Sequence, residues 1–366
     1  MERSYQKKDG QYYAPKGKAH DVCGGKAFRV AALGLDHGHI MGMCNGLSEA
    51  GAVISFVFDP DGEKVAAFLK AFPTAKPKDS VEDVLKDDSI ALVAIASIPC
   101  DRAALAVRAM RAGKHVFVDK PCCTTMEQWE MLQKAVGETG RCFRVYFSER
   151  LHVESAVYAE QLIQNGAIGT VLSVQILAPH RKASGTRPEW FFEKEMYGGI
   201  LTDIGSHQIE QILAFTGARH AKLSFSHVAN YADGEHPEFE DFGDASFVCD
   251  GGATGYFRVD WFTPDSLPVW GDGRTFILGT KGYMELRKYF DYEEGQSDVV
   301  CWANDKGFHR EHVHGKTGYP FFGRFIRDCI DGTEESMGQD YVFEVMRLAL
   351  EAEEKAEVVF KGGNKQ

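Results

Sequence analysis

Asp203 and His207 stand four residues apart in a stretch with helical periodicity, so on a helix both side chains leave the same face one turn apart. A carboxylate beside an imidazole fixes the ring's orientation and favours the imidazolium that forms when the ring takes a proton. This is equipment for acid–base work at a hydroxyl, and oxidising an alcohol needs such a base while hydride leaves the same carbon. Glu210 continues the face, whereas Ile204, Ile209, Ile212 and Leu213 supply apolar packing elsewhere. The plainer reading of an Asp–His helical pair is a hydrogen bond on a helix surface. Two features elsewhere in the chain favour chemistry instead. Gly198-Gly199 adjoins the pair, and Lys120 follows a strand and precedes Pro121, which restricts the backbone around it.

A second group of residues suits a dinucleotide. Gly34-Leu35-Asp36-His37-Gly38-His39 lies between a strand pattern and a helix pattern, where glycine lets the backbone approach a pyrophosphate and the helix N-terminus stabilises its charge. The G-x-G-x-x-G pattern is broken, because Asp36 and His39 take the second and third glycine positions. Asp59 ends the next strand 25 residues after Gly34, near the ~20-residue spacing at which an acidic residue meets the adenosine ribose. A carboxylate there repels a 2′-phosphate, which favours NAD over NADP. The bland alternative is a turn, Asp59-Pro60-Asp61, capping the next helix.

The elements that position these groups alternate. Phe28–Gly34, Val53–Phe58, Ile90–Ser97, Val116–Val118 and Cys142–Phe147 read as buried strands, separated by helical stretches that run through Leu47 and over Glu63–Phe72, Arg102–Ala112 and Met126–Val136. Gly113 supplies a left-handed helix end. Such alternation specifies an α/β fold with a doubly wound parallel sheet. Beyond a boundary near 148 the pattern changes. Helices over Val153–Asn165 and near Thr202–Phe215 flank a strand at Val171–Ala178. Longer, aromatic-rich strands follow at Ala221–Val228, Ala245–Cys249, Ala253–Phe262, Arg274–Gly279 and Tyr283–Arg287, and a helix closes the chain at Tyr341–Val358. Strands in a run favour an open, mainly antiparallel sheet in an α+β domain. The expected division is an arm over 1–27, lying on the surface or on a partner subunit, a dinucleotide-binding domain over 28–148 and a substrate and oligomerisation domain over 149–366.

At Ala112-Gly113-Lys114-His115-Val116-Phe117-Val118-Asp119-Lys120-Pro121 the chain resembles the glucose–fructose oxidoreductase/inositol 2-dehydrogenase/rhizopine-catabolism (Gfo/Idh/MocA) family, with its A-G-K-H-V…E-K-P signature. Asp119 replaces the family's Glu. The family's G-G-G-x-x-x-D-x-G-x-H is similar to Tyr197 through His207, with Tyr197 for the first glycine. Its T-P-N-x-x-H, on the nicotinamide side in relatives, reads Ser97-Ile98-Pro99-Cys100-Asp101-Arg102. The resemblance covers most of residues 28–358. It implies Lys120 between nicotinamide and substrate hydroxyl, polarising the oxygen and relaying a proton. His207 is then the acid/base, with which Lys120 can exchange roles, and Asp203 orients it or binds substrate. Gly34, Asp36, His37, Gly38, His39, Asp59, Ser97, Pro99 and Lys120 are the residues expected at the cofactor.

Other candidates carry less. His180 and Arg181 follow a strand, and Arg187 and Trp190 precede the Gly-Gly pair; they suit a sugar face, its hydroxyls or a carboxylate, or else a packed surface loop. His309, His312 and His314 have a loose metal-ligand spacing, without a Cys or carboxylate cluster to support it, so no metal site is expected. Cys122 and Cys123 read as buried packing residues.

The leading expectation is an NAD-dependent oxidoreductase acting on a secondary hydroxyl of a sugar, glycoside or polyol. NAD-assisted glycoside hydrolysis or elimination through a transient keto-sugar, and a non-catalytic nucleotide-binding scaffold, are the alternatives. A net charge of -12, from 41 Lys+Arg against 53 Asp+Glu, argues against a nucleic-acid partner. The longest apolar stretch, Ile90 to Ile98, is too short for a bilayer. Nine cysteines without a C-x-x-C pair and a polar N-terminus suggest the cytoplasm. The resemblance implies a homodimer or homotetramer.

Overall fold

Four consecutive residues with no exposed surface, Val30 to Leu33, begin the alternation of strand and helix. The structure, a computed structural model, describes residues 10–24, 27–295 and 297–361. Strands β1 (Arg29–Leu33), β2 (Val53–Phe58), β3 (Lys76–Pro77), β4 (Leu92–Ile95), β5 (His115–Asp119) and β6 (Phe143–Tyr146) form one sheet in the order β3-β2-β1-β4-β5-β6. Every neighbouring pair is parallel. The connecting helices are α1 (His39–Glu49), α2 (Gly62–Ala71), α3 (Val81–Leu85), α4 (Pro99–Arg111) and α5 (Met126–Thr139). Asp61, Ser80 and Thr125 cap α2, α3 and α5 through their side chains. Gly113 takes the left-handed conformation after α4, with φ 81°. The strand order reverses between β1 and β4, so the loops after these two strands open the crevice where doubly wound sheets bind ligands.

This unit comprises Gln11–Tyr146 with Tyr319–Phe343. Residues 11–24 follow the end of α1, where His20 N–H donates to Glu49 O at 2.6 Å and Val22 N–H to Ala50 O at 3.1 Å. The first helix after residue 318 completes the core: Phe325 packs 5.1 Å from Phe117, and a Cβ at Gly46 would fall 2.2 Å from the Phe322 ring.

The second unit comprises Phe147–Gly318 with the chain from Glu344 on, preceded by Gly10. Its helices are α6 (Ser148–Leu151), α7 (Glu154–Gln164), α8 (Lys194–Tyr197), α9 (Ile200–Asp203) and α10 (Gly205–Thr216). Its nine strands are β7 (Val171–Pro179), β8 (Ala221–Asn230), β9 (Phe242–Cys249), β10 (Thr254–Asp260), β11 (Arg274–Gly279), β12 (Gly282–Arg287), β13 (Val299–Asn304), β14 (Gly307–His312) and β15 (Glu357–Lys361), in the order β14-β13-β12-β11-β7-β10-β9-β8-β15. Only β10 with β7 and β15 with β8 run parallel. Helix α10 packs on β7 and β10, where a Cβ at Gly255 would stand 2.4 Å from Ile212. The remaining helices are α11 (Pro320–Asp331) and α12 (Gln339–Glu354).

The α/β fold with a parallel sheet and a second, mainly antiparallel one is as the sequence leads one to expect. Four strands were not anticipated: the two-residue edge strand β3, and β13, β14 and β15. The closing helix ends at Glu354 rather than Val358, because Val358 and Phe360 join the backbone ladder of β8. Among the described residues no helix is long and apolar enough to cross a membrane.

Candidate active site

Gly34 turns the chain out of β1 with φ 67°, and a Cβ there would lie 2.7 Å from that of Ser97. Only glycine fits. Leu35 N–H donates to Asp59 Oδ2 at 2.6 Å and Asp61 N–H to Asp59 Oδ1 at 2.8 Å, so the carboxylate at the end of β2 pins the loop after β1. Each oxygen keeps a lone pair for a further donor such as a ribose hydroxyl. Asp36 pairs with Lys64 at 2.6 Å. Asp36, His37 and Gly38 remain partly exposed ahead of α1.

The histidine at the third glycine position has a structural explanation in Asp119. This carboxylate has no exposed surface and meets His39 Nδ1 at 2.8 Å, His37 Nδ1 at 3.0 Å and Arg102 Nη2 at 3.0 Å. Burial alone would push its carboxyl up. His39, Arg102 and His37 together hold it well below the usual carboxylate range. Burial, and then His39, lower His37 to about 3 despite Asp119, so His37 is neutral at pH 7 and acts through its hydrogen bond. Arg102 is the permanent cation. It also donates to Ser97 O at 2.7 Å, Lys120 O at 2.5 Å and Pro121 O at 3.0 Å, tying the ends of β4 and β5 together.

Lys120 is buried, its N–H donating to Asp119 Oδ1 at 2.9 Å, and it is joined to Pro121 by a cis peptide. Pro99 occupies the first turn of α4. The buried Ser97 Oγ has no hydrogen-bond partner among the described residues. An unpartnered hydroxyl, a glycine turn, a helix start and a strand-end carboxylate, all at the carboxyl edge of β1, β2 and β4, fit a dinucleotide.

In the second unit, Asp203 ends α9 and His207 lies in the first turn of α10. Ile204 between them keeps helical angles (φ -81°, ψ -43°), so the one-turn spacing survives the break. His207 is buried and Asp203 half-buried. Glu210 is occupied by Arg150, whose Nε lies 2.8 Å from it. A polar cluster surrounds this helix. Glu149, 3% exposed, accepts Gln208 Nε2 at 3.1 Å and lies 3.4 Å from His180 Nε2 and 3.6 Å from the buried Lys288 ammonium. Lys288 donates to Gln211 Oε1, and Gln211 Nε2 donates to the His207 carbonyl at 3.0 Å. Burial opposes ionisation of Glu149, yet the hydrogen bond to His180 and the charges of Lys288, His207 and His180 hold its carboxyl well below the usual range. Burial lowers Lys288, with Glu149 opposing.

His180 packs 4.6 Å from Trp270 and 5.5 Å from Trp261. Arg187 lies over Phe191 and Trp261 at 4.3 and 5.1 Å, and Trp190 is half-buried beside Phe191. The buried Arg181 donates to the carbonyls of Pro264 and Leu267 at 2.9 and 2.6 Å, which holds a loop. His309 stacks on Trp302, His312 pairs with Glu294 at 2.9 Å and His314 lies 3.4 Å from both Glu154 and Asp298, so the three do not converge. Cys122 and Cys123 are fully buried.

Residues 31–147 match a family described as oxidoreductases with an NAD-binding Rossmann fold, and residues 157–285 match the GFO/IDH/MocA C-terminal domain. A solved structure from Erwinia carotovora atroseptica SCRI1043, assigned only in outline as an oxidoreductase, is 50% identical. The match covers 91% of this chain and 99% of that one, with a TM-score of 0.88. The chain belongs to the Gfo/Idh/MocA family. The scyllo-inositol 2-dehydrogenase (NADP(+)) IolW of Bacillus subtilis (strain 168) is 28% identical over 40% of this chain and 40% of its own. A levoglucosan dehydrogenase complexed with NADH and L-sorbose shares the fold at 20% identity and a TM-score of 0.71, covering 89% of this chain and 97% of that one. The first curated relatives are matched over only 38–40% of their own length.

Against the Gfo/Idh/MocA pattern, His39, Asp119 and Arg102 are departures, and His39 and Arg102 both contact Asp119. Sequence reasoning noted these three positions separately and did not connect them. It missed Glu149, Gln208, Gln211 and Lys288 altogether. Lys288, next to Arg287 at a strand end, looks like a surface cation, and only the fold brings it to Glu149.

Proposed function

We propose that this protein is an NAD-dependent oxidoreductase that removes hydride from a secondary hydroxyl of a sugar, glycoside or polyol. The observation that carries the reading is a buried histidine, His207, one helical turn from Asp203, in a chain whose other unit presents a dinucleotide loop pinned by Asp59. When bound, the nicotinamide accepts the hydride. His207 takes the hydroxyl proton, Lys120 polarises the same oxygen and relays the proton, and Asp203 orients the imidazole or a substrate hydroxyl. Asp59 favours NAD over NADP. His180, Arg187 and Trp190 are the side chains we assign to the sugar, while Arg181 serves the loop that it holds.

All nine cysteines are free thiols, which suits the cytoplasm. The second sheet exposes Phe225, Phe276, Leu278 and Tyr283, and we propose self-association there into a dimer or tetramer.

Screening sugars and polyols with NAD for NADH absorbance tests the activity. His207→Ala should then lower turnover by about 10²–10⁴-fold with NAD affinity near normal. An unimpaired rate removes His207 from the mechanism. Substrate consumption without NADH accumulation would instead indicate a transient oxidation.

A further inference from the structure

The paired glycines ahead of Asp203 and His207 adjoin a cluster that the mechanism above does not use. Glu353 comes from α12, Glu240 from the segment before β9, and Lys194 opens α8. The Lys194 ammonium lies 2.5 Å from Glu240 Oε1 and 2.6 Å from Glu353 Oε1. The other oxygen of each carboxylate faces a single helix start. Glu240 Oε2 accepts Ile200 N–H at 2.8 Å, and Glu353 Oε2 accepts Leu201 N–H at 3.0 Å.

These are the first two amides of α9, and a helix has no internal acceptor for them. Helices usually meet this need with Ser, Thr, Asp or Asn at the cap position. Here the cap is Gly199, with φ 88°, and a Cβ on it would fall 2.1 Å from Glu353 Cδ. Two carboxylates from distant segments therefore do the work of a local cap, and the glycine makes room for one of them. Both are less than a tenth exposed, while Lys194 is 40% exposed.

We propose that Glu240, Glu353 and Lys194 form a proton-sensitive seat for α9 and thereby act as positioning residues for Asp203 and His207. The catalytic consequence rests on the function proposed above; the seat itself does not.

One ammonium balances only one of the two carboxylates, so the cluster is neutral when one carboxyl carries a proton and bears a buried negative charge when both are ionised. Burial, and then the charge of Glu240, push Glu353 up to about 8, with Lys194 opposing. Protonated Glu353 still has an oxygen for Leu201 N–H. The other titratable groups at the cluster are Tyr197, whose hydroxyl accepts Glu240 N–H at 3.1 Å, and Asp203, whose charge acts on Tyr197. Burial and the nearby carboxylates raise the Tyr197 phenol well above its usual range, so it stays protonated throughout the window that matters.

The sign follows from linkage. A carboxyl whose folded value lies above its unfolded value of ~4.3 makes the protein less stable as pH rises from there to about 8, and no more so beyond. The test compares the full chain, wild type, E353Q and E353A, without ligand. The Tm of wild type minus that of E353Q should fall by a few degrees as pH rises from about 5 to 8, then level off. A difference constant across that range would overturn the proton-sensitive seat.

The second readout is carbethoxylation of His207 by diethyl pyrocarbonate at fixed neutral pH, followed by mass spectrometry. E353A should react several-fold faster than wild type, and E353Q near the wild-type rate. Gly199→Ala, which displaces Glu353, should behave like E353A and serves if E353A does not fold. Equal rates in wild type and these variants would overturn the positioning role. Absence of dehydrogenase activity would count against the proposed function and leave both readouts standing.

Discussion

Asp119 in the dinucleotide unit and Glu149 in the sheet unit are both buried, both held ionised, and both contacted by a histidine and a buried cation. They differ in how deeply their cations are committed. Arg102 binds Asp119 and also three carbonyls, those of Ser97, Lys120 and Pro121, so it fixes backbone as well as charge. Lys288 serves one carboxylate and one amide, Glu149 and Gln211. The first cluster is a scaffold for the ends of two strands. The second is a side-chain network beside His207 that can be altered with less disturbance of the main chain.

The largest expected effect is therefore at Arg102. Arg102→Met strands Asp119 without its permanent cation and should cost about 3–5 kcal/mol in urea unfolding. Adding Asp119→Asn should recover little, because the three carbonyls stay without their donor. The wild-type contribution has a defined pH signature. Asp119 is depressed in the folded state, so its stabilisation is present above the unfolded value of ~3.9 and is lost as pH falls below it.

Lys288→Met comes next, at about 3 kcal/mol, because Glu149 is left buried without its ammonium partner. Here the double variant with Glu149→Gln should return close to wild type, since both charges go together. Recovery in both doubles, or in neither, would erase the distinction between the clusters. A smaller effect is expected from His39→Gly, which restores the family's loop glycine. It removes one hydrogen bond to Asp119 and should destabilise by about 1–3 kcal/mol. Unchanged stability would mean that the histidine is incidental to the carboxylate.

The sequence made the parallel sheet legible, its two-residue edge strand β3 aside, because its inner strands are short apolar runs separated by helices. Leu92 to Ile95, wholly buried, are enough by themselves to mark a central strand. The outer strands of the second sheet were not legible for the opposite reason. β14 reads Gly-Phe-His-Arg-Glu-His and is largely exposed or half-buried, so it lacks the apolar pattern that announces a strand. Asp203 and His207 could be placed on one helical face because their spacing is local. Glu149 and Lys288 could not be paired, because 139 residues separate two charges whose meeting depends on the whole fold. Arg181 looked like a ligand-reading arginine, and its carbonyl partners at Pro264 and Leu267 are equally remote.

The most direct test of the central claim is a fluorescence titration of the purified protein with NADH and NADPH, with Asp59→Ala alongside. The account predicts that NADH binds more tightly than NADPH. Removing the carboxylate that pins Leu35 and offers acceptors to the ribose should weaken NADH by about tenfold, or ~1.4 kcal/mol. Folded protein, free of bound nucleotide, that binds neither cofactor would contradict it.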